Sequence, residues 1–147
     1  MFNFNKLKDI REDNDMSQKE VSKILGVNRS TYSLWELGIN IIPLKYLFIF
    51  SNFFNTSIDY IFGLTKIKTK NYDTFDFKII SYNMKRIRLM HNLSQENVAN
   101  ILGVTQACIN RYEKGLICIS TISLYNFVKY FKISTNELLV NDELLKV

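Results

Sequence analysis

The thiols of Cys108 and Cys118 and the imidazole of His91 are the side chains of this chain best suited to nucleophilic or metal chemistry. Their spacing supports neither. A zinc site needs close pairs of Cys or His donors matched by a second pair further on, and two cysteines ten residues apart with a single histidine do not furnish it. No paired carboxylates are set on matched faces, and no glycine-rich loop stands ready to cradle phosphate. The residue types therefore argue against an enzyme, a metal centre or a cofactor, and the two thiols fit a reduced, cytoplasmic protein.

What the spacing does contain is a repeat. Ser17-Gln18, Leu25-Gly26-Val27 and Glu36-x-Gly38 recur as Ser94-Gln95, Leu102-Gly103-Val104 and Glu113-x-Gly115, at a constant shift of 77 residues. The same shift pairs Arg11 with Arg88, Leu47 with Leu124, Phe50 with Phe127, Phe54 with Phe131 and Ser57 with Ser134, without a gap. Order and period both survive, so the chain reads as a tandem duplication. Its 147 residues hold two units of about 60 residues each, near the lower end of independent folding. The expected division is a first domain over 1–64, a linker over 65–73 and a second domain over 74–147.

Composition supports two folded units. Hydrophobic residues make up 47% and aromatic residues 14% of the chain, enough to build a core in each half. The net charge of +5 points mildly toward an anionic partner, and it is shared: residues 1–70 hold ten Lys and Arg against seven Asp and Glu, residues 71–147 nine against seven. The stretch from Ile39 to Phe54 is very apolar, but Asn40, Pro43, Lys45, Ser51 and Asn52 interrupt it short of the length a spanning helix requires. No membrane association is expected, and Met-Phe-Asn-Phe-Asn-Lys at the start lacks the apolar core of an export signal.

The elements that hold these residues are helical. Phe4, Leu7, Ile10 and Arg11 fall at helical spacing before the polar run Asp13 to Asp15. Ser17 stands three residues before Glu20 as a capping box, with Val21, Ile24 and Leu25 as the apolar stripe of a second helix that Gly26 ends. Asn28 is placed to cap a third helix running to Leu37, with Gly38 beyond it. A fourth helix is expected from Pro43 to Phe54 and a fifth from Ser57 to Phe62. The second unit repeats the plan over Asp76–Asn92, Ser94–Leu102, Thr105–Lys114, Ser120–Phe131 and Ser134–Val140. The expected fold is all-α, five short helices per unit. The connector from Leu64 to Asp73 has weak periodicity and reads as an exposed linker, about 33 to 36 Å long when extended, close to one turn of DNA.

Two helices joined by a tight glycine turn, the second opened by a capping residue, resemble the helix-turn-helix of Cro and the phage repressors, the xenobiotic-response-element-like (XRE) regulators. The resembling pattern is Arg11, Ser17-Gln18, Leu25-Gly26-Val27 and Trp35-Glu36-Leu37-Gly38, and again Arg88, Ser94-Gln95, Leu102-Gly103-Val104 and Tyr112-Glu113-Lys114-Gly115. The resemblance implies two tandem phage-repressor-like DNA-binding domains. Arg11 with Glu36, and Arg88 with Glu113, are then ion pairs tying helix one to the end of helix three, a structural role. Gln18 and Gln95 at the start of helix two contact the phosphate backbone, where the helix N-terminus adds positive potential.

The third helix of each unit is then the one that enters the major groove, with Asn28, Arg29, Ser30, Ser33 and Leu34 outward in unit one and Thr105, Gln106, Ala107, Asn110 and Arg111 in unit two. Gln and Asn bond adenine, Arg bonds guanine and Ala meets a thymine methyl. Unit two reads as the stronger reader; in unit one Arg29 is the strong base reader and Leu34 is apolar. Tyr32, Trp35, Ile109 and Tyr112 fall on the inner side as core, with Cys108 packed nearby.

Where this family often places basic or polar residues after helix three, this chain has Ile39-Asn40-Ile41-Ile42 and Leu116-Ile117-Cys118-Ile119. These apolar loops suit either an interface, as in a homodimer or with a protein partner, or burial in each unit's own core. Past Val140 too few residues follow for a sensor domain. The expected function is a cytoplasmic, sequence-specific regulator of transcription that binds double-stranded DNA, a repressor by resemblance. The alternative is a protein-interaction module, antitoxin-like or adaptor-like, in which one or both units bind a protein. Richness in Asn, Lys and Ile fits an AT-rich bacterial or phage genome.

Overall fold

The structure, a computed structural model, describes residues 6–70, 72 and 74–140. Among them it has ten helices and no strand: α1 Lys6–Asp13, α2 Gln18–Leu25, α3 Arg29–Glu36, α4 Leu44–Phe53, α5 Ile58–Ile61, α6 Phe77–Met90, α7 Gln95–Leu102, α8 Gln106–Glu113, α9 Thr121–Phe131 and α10 Thr135–Leu139. The all-α expectation, five helices to a unit, matches this. The chain divides into two compact units, Met1–Lys70 and Asn71–Val147. Phe4, expected on the first helix, lies outside the described residues.

Helix ends follow local chemistry. The Ser17 hydroxyl accepts the Glu20 N–H (3.1 Å) while Glu20 Oε1 accepts the Ser17 N–H (3.2 Å), closing the expected capping box. In unit two Asn97 takes the same part opposite Ser94, at 2.9 and 3.0 Å. Gly26 and Gly103 leave these helices at φ 75° and 69°, where a side chain would be strained. Thr105 caps α8 by accepting the Cys108 N–H at 3.1 Å. Asn28 holds the equivalent N-cap position, but its side chain makes no capping bond. Pro43 is the N-cap of α4 and not its first helical residue, since its ψ of 149° is extended.

The duplication extends to backbone strain. Left-handed φ angles recur at Asp15 and Asn92, at Asn55 and Lys132, at Gly26 and Gly103, and at Gly38 and Gly115, each pair one repeat apart. Asp and Asn tolerate this region by local hydrogen bonding, so the same turn survives their exchange.

Each unit buries its own core. In unit one Leu7, Val21, Leu25, Tyr32, Trp35, Ile42, Leu47 and Phe50 are buried; their counterparts Met84, Val98, Leu102, Ile109, Tyr112, Ile119, Leu124 and Phe127 are buried too. Side chains of this size contribute about 1.5–3 kcal/mol each on burial. α2 packs on α3, and α7 on α8, which fixes the third helix of each unit against the second and leaves its other face open. Tyr32, Trp35, Ile109 and Tyr112 are therefore core residues, as their helical phase implies.

The segment assigned to a linker is exposed at Lys66, Ile67, Lys68 and Thr69, yet part of it is held by unit one. The Ser57 N–H donates to the Lys68 carbonyl (2.7 Å), the Ser57 hydroxyl to the Ile67 carbonyl (3.0 Å), and Lys70 Nζ to Asn52 Oδ1 (2.8 Å). Lys68 Nζ also sits 5.2 Å from the Tyr60 ring centroid, a cation–π contact. With these bonds in place, residues 65–70 follow the surface of unit one.

Candidate nucleic-acid interface

The third helices are anchored from below by an arginine fork. Arg11 donates through Nε to Glu36 Oε1 (2.6 Å) and through Nη2 to Oε2 (3.2 Å). Its third arm, Nη1, donates to the Met16 carbonyl at 2.8 Å. Unit two repeats all three bonds, Arg88 to Glu113 at 2.7 and 2.9 Å and to the Leu93 carbonyl at 2.9 Å. One guanidinium thus joins helix one, the turn before helix two and the end of helix three. The planar bidentate fork suits this, as a lysine ammonium does not. The ion pairs expected from the resemblance are present; the bond to the turn was not anticipated.

Burial works to raise the pKa of Glu36, but the hydrogen bonds from Arg11 and Gln18 and the Arg11 charge outweigh it and hold the carboxyl below its ordinary value. Burial, with the Glu36 carboxylate beside it, pushes the Tyr32 phenol well above its usual range, so that it stays neutral. A carboxyl with a depressed folded pKa adds stability that is fully present above the unfolded value of about 4.3 and is lost as pH falls through the lower folded value. Unit one is therefore expected to weaken on acidification below about pH 4, and Glu36→Gln to flatten that dependence while lowering stability at neutral pH. Urea midpoints followed against pH by the fluorescence of Trp35, the single tryptophan, test this; equal acid sensitivity in both proteins would remove Glu36 as the source.

The helix-two glutamines lie on this ion pair. Gln18 Nε2 donates to Glu36 Oε2 at 2.9 Å, and Gln95 Nε2 to Glu113 Oε1 at 3.2 Å. Both side chains are half-buried. Each amide carries a second hydrogen for an outside acceptor, and each residue opens a helix at its positive end. In unit two a further bond follows: Asn110 Nδ2 donates to Gln95 Oε1 at 3.4 Å.

The outward face of α8 carries Gln106, Ala107 and Arg111 exposed and Asn110 half-exposed, with Thr105 exposed just before it. Gln95, Gln106, Ala107, Asn110 and Arg111 together line an open groove of about 490 Å³. On α3 the counterparts differ in character. Asn28, Arg29 and Ser30 are exposed, Ser33 is half-buried, and so is Leu34. Its carbonyl accepts the N–H groups of both Ile39 and Asn40, at 3.1 and 3.2 Å, folding the following loop back over the helix end.

The apolar loops split between the two roles open to them. Ile42 and Ile119 are fully buried in their own units, whereas Ile39 and Leu116 are 67% and 65% exposed, and Leu37 is 63% exposed. His91 is no free imidazole: its Nδ1 lies 2.8 Å from the Ile87 carbonyl, and its ring meets Phe131 edge-on. Asn14, one repeat earlier, makes the same bond to the Ile10 carbonyl at 2.7 Å. Among the described residues no group of three or more His, Cys, Asp or Glu is arranged to hold a metal ion, and no helix is long and apolar enough to cross a membrane.

A family model described as helix-turn-helix matches the chain twice, over residues 7–61 and 84–138. No curated protein and no solved structure matches it.

Proposed function

The chain belongs to the helix-turn-helix family, in two tandem copies of the XRE type, and on that footing we propose that it is a sequence-specific regulator of transcription that binds double-stranded DNA. The observation that carries this reading is the groove on unit two. Gln95 at a helix N-terminus and Gln106, Asn110 and Arg111 along the next helix line one open surface, which supports a phosphate donor set beside three base readers. Ala107 between them suits a thymine methyl.

Unit one supports a subsidiary role. Arg29 is its strong base reader, and its groups suit phosphate and sugar better than bases. Because the two third helices differ, one chain favours an asymmetric site, and joining the units raises the effective concentration of the weaker one at the DNA. The mechanism is steric occlusion or recruitment, not chemistry, which fits a repressor acting in the cytoplasm. A second reading, a protein-interaction module, draws on exposed Leu37 and Ile39 beside the third helix of unit one.

Selection of binding sites from random duplex DNA at fixed salt, with the intact chain, tests the proposal. A two-part site is expected, its better-defined half lost on replacing Arg111. Enrichment no better than non-specific binding would favour the interaction reading, and Leu37 and Ile39 would then be the first positions to substitute.

A further inference from the structure

Unit two contains a chain of hydrogen bonds not found among the described residues of unit one, and its polarity is set from one end. Arg88 donates twice to Glu113. An ionised carboxylate accepts only, so the end of the Gln95 amide facing Glu113 must be its amino group, as the 3.2 Å contact from Nε2 shows. That turns Gln95 Oε1 toward Asn110, and Asn110 answers with Nδ2 at 3.4 Å. The reversed Asn110 amide would set two acceptor oxygens against each other. The relay uses one Nδ2 hydrogen of Asn110 and leaves its second hydrogen and Oδ1 for an outside partner. In unit one, Gln18 reaches Glu36 in the same way (2.9 Å), but the residue in place of Asn110 is Ser33, whose rotating hydroxyl both donates and accepts and passes on no fixed polarity.

This decides what Asn110 can read. Adenine offers N6–H and N7, a donor and an acceptor, which match Oδ1 and one Nδ2 hydrogen. Guanine offers two acceptors, N7 and O6. A free asparagine can serve guanine by giving both Nδ2 hydrogens; with one of them held by Gln95, that option is closed. We propose that Gln95 is a positioning residue that fixes the amide of Asn110 through the bond to its Nδ2, so that Asn110 selects adenine over guanine at one position of the site.

The inference rests on the DNA-binding reading, and its test separates the two. Gln95→Met keeps the ion pair and the length of the side chain but cannot accept the bond from Asn110 in the same way. In the intact chain, Asn110→Ala first identifies the base position concerned. Gln95→Met is expected to weaken binding to all sequences and, beyond that, to reduce the adenine-to-guanine preference at that position by about tenfold. In an Asn110→Ala background it is expected to leave only the uniform loss. Circular dichroism confirms that each variant folds. A uniform loss with the adenine preference intact overturns the relay while the DNA reading stands. Failure of the wild-type chain to enrich any site overturns both.

Discussion

Replacing Arg88 with methionine is expected to destabilise unit two by about 3–5 kcal/mol, the usual result of removing one partner of a buried ion pair. The Glu113 side chain is 3% exposed and that of Arg88 10%. Methionine leaves the carboxylate buried with the Gln95 N–H as its remaining bond among those described, and takes from the Leu93 carbonyl its donor at 2.9 Å. Domains of this size have little stability to lose, since small units bury a smaller share of their surface. The position of Trp35 makes the effect easy to assign. This single tryptophan is buried in the core of unit one, so its fluorescence follows that unit, while helical circular dichroism follows both. In urea, Arg88→Met is expected to move part of the dichroism transition to low denaturant and leave the tryptophan transition near wild type; Arg11→Met is expected to move the tryptophan transition. Adding Glu113→Leu to Arg88→Met should recover most of the loss, because an apolar pair carries no uncompensated charge. An Arg88→Met curve that overlays wild type by both probes would show that the fork is not what holds α8 to α6.

Much of this architecture is written in the sequence at the level of period and cap. The 77-residue shift locates both copies, Ser17 with Glu20 announces α2, and Gly26 and Gly103 announce its end and that of α7. Such signals are local, resting on a residue's own backbone preference or on neighbours within one turn. What was not legible depends on how elements meet. The alternation that buries Ile42 and exposes Ile39 is decided by the path of an extended loop, and composition is the same for either outcome. Asn97 completes a capping box as Glu20 does, though it is neither Glu nor Gln. Residues 65–70 look like a tether by composition, yet the free N–H of Ser57 at the start of α5 recruits the Lys68 carbonyl. The bond from Asn110 to Gln95 joins two helices through two rotamers, and sequence spacing carries no trace of it. By its type Asn110 is a proposed base reader; its bond to Gln95 is not legible by type.

The same division between types and arrangement underlies the largest functional effect. With Gln106, Asn110 and Arg111 all replaced by alanine, preference for the selected DNA site over random duplex is expected to fall by at least about 10²-fold, taking each reader at about 1–3 kcal/mol. Gln106 and Arg111 are exposed and Asn110 half-exposed, so folding and the Trp35 transition should be untouched. Non-specific binding should persist, because a single charge is removed and the salt slope is expected to fall by about one unit at most. The three effects will not sum cleanly, since Asn110 shares a bond with Gln95 and neighbouring residues couple. The matched change in unit one, Arg29→Ala, removes a charge as well but a single strong reader, and about a tenfold loss is expected. Quantitative binding of both variants to the selected site and to a scrambled duplex, at two salt concentrations, separates reading from grip. Equal losses from the two would mean that the units read alike, and that the groove beside Gln95 does not make unit two the principal reader. A triple variant that loses affinity for both duplexes in equal measure would assign all three side chains to the phosphate backbone.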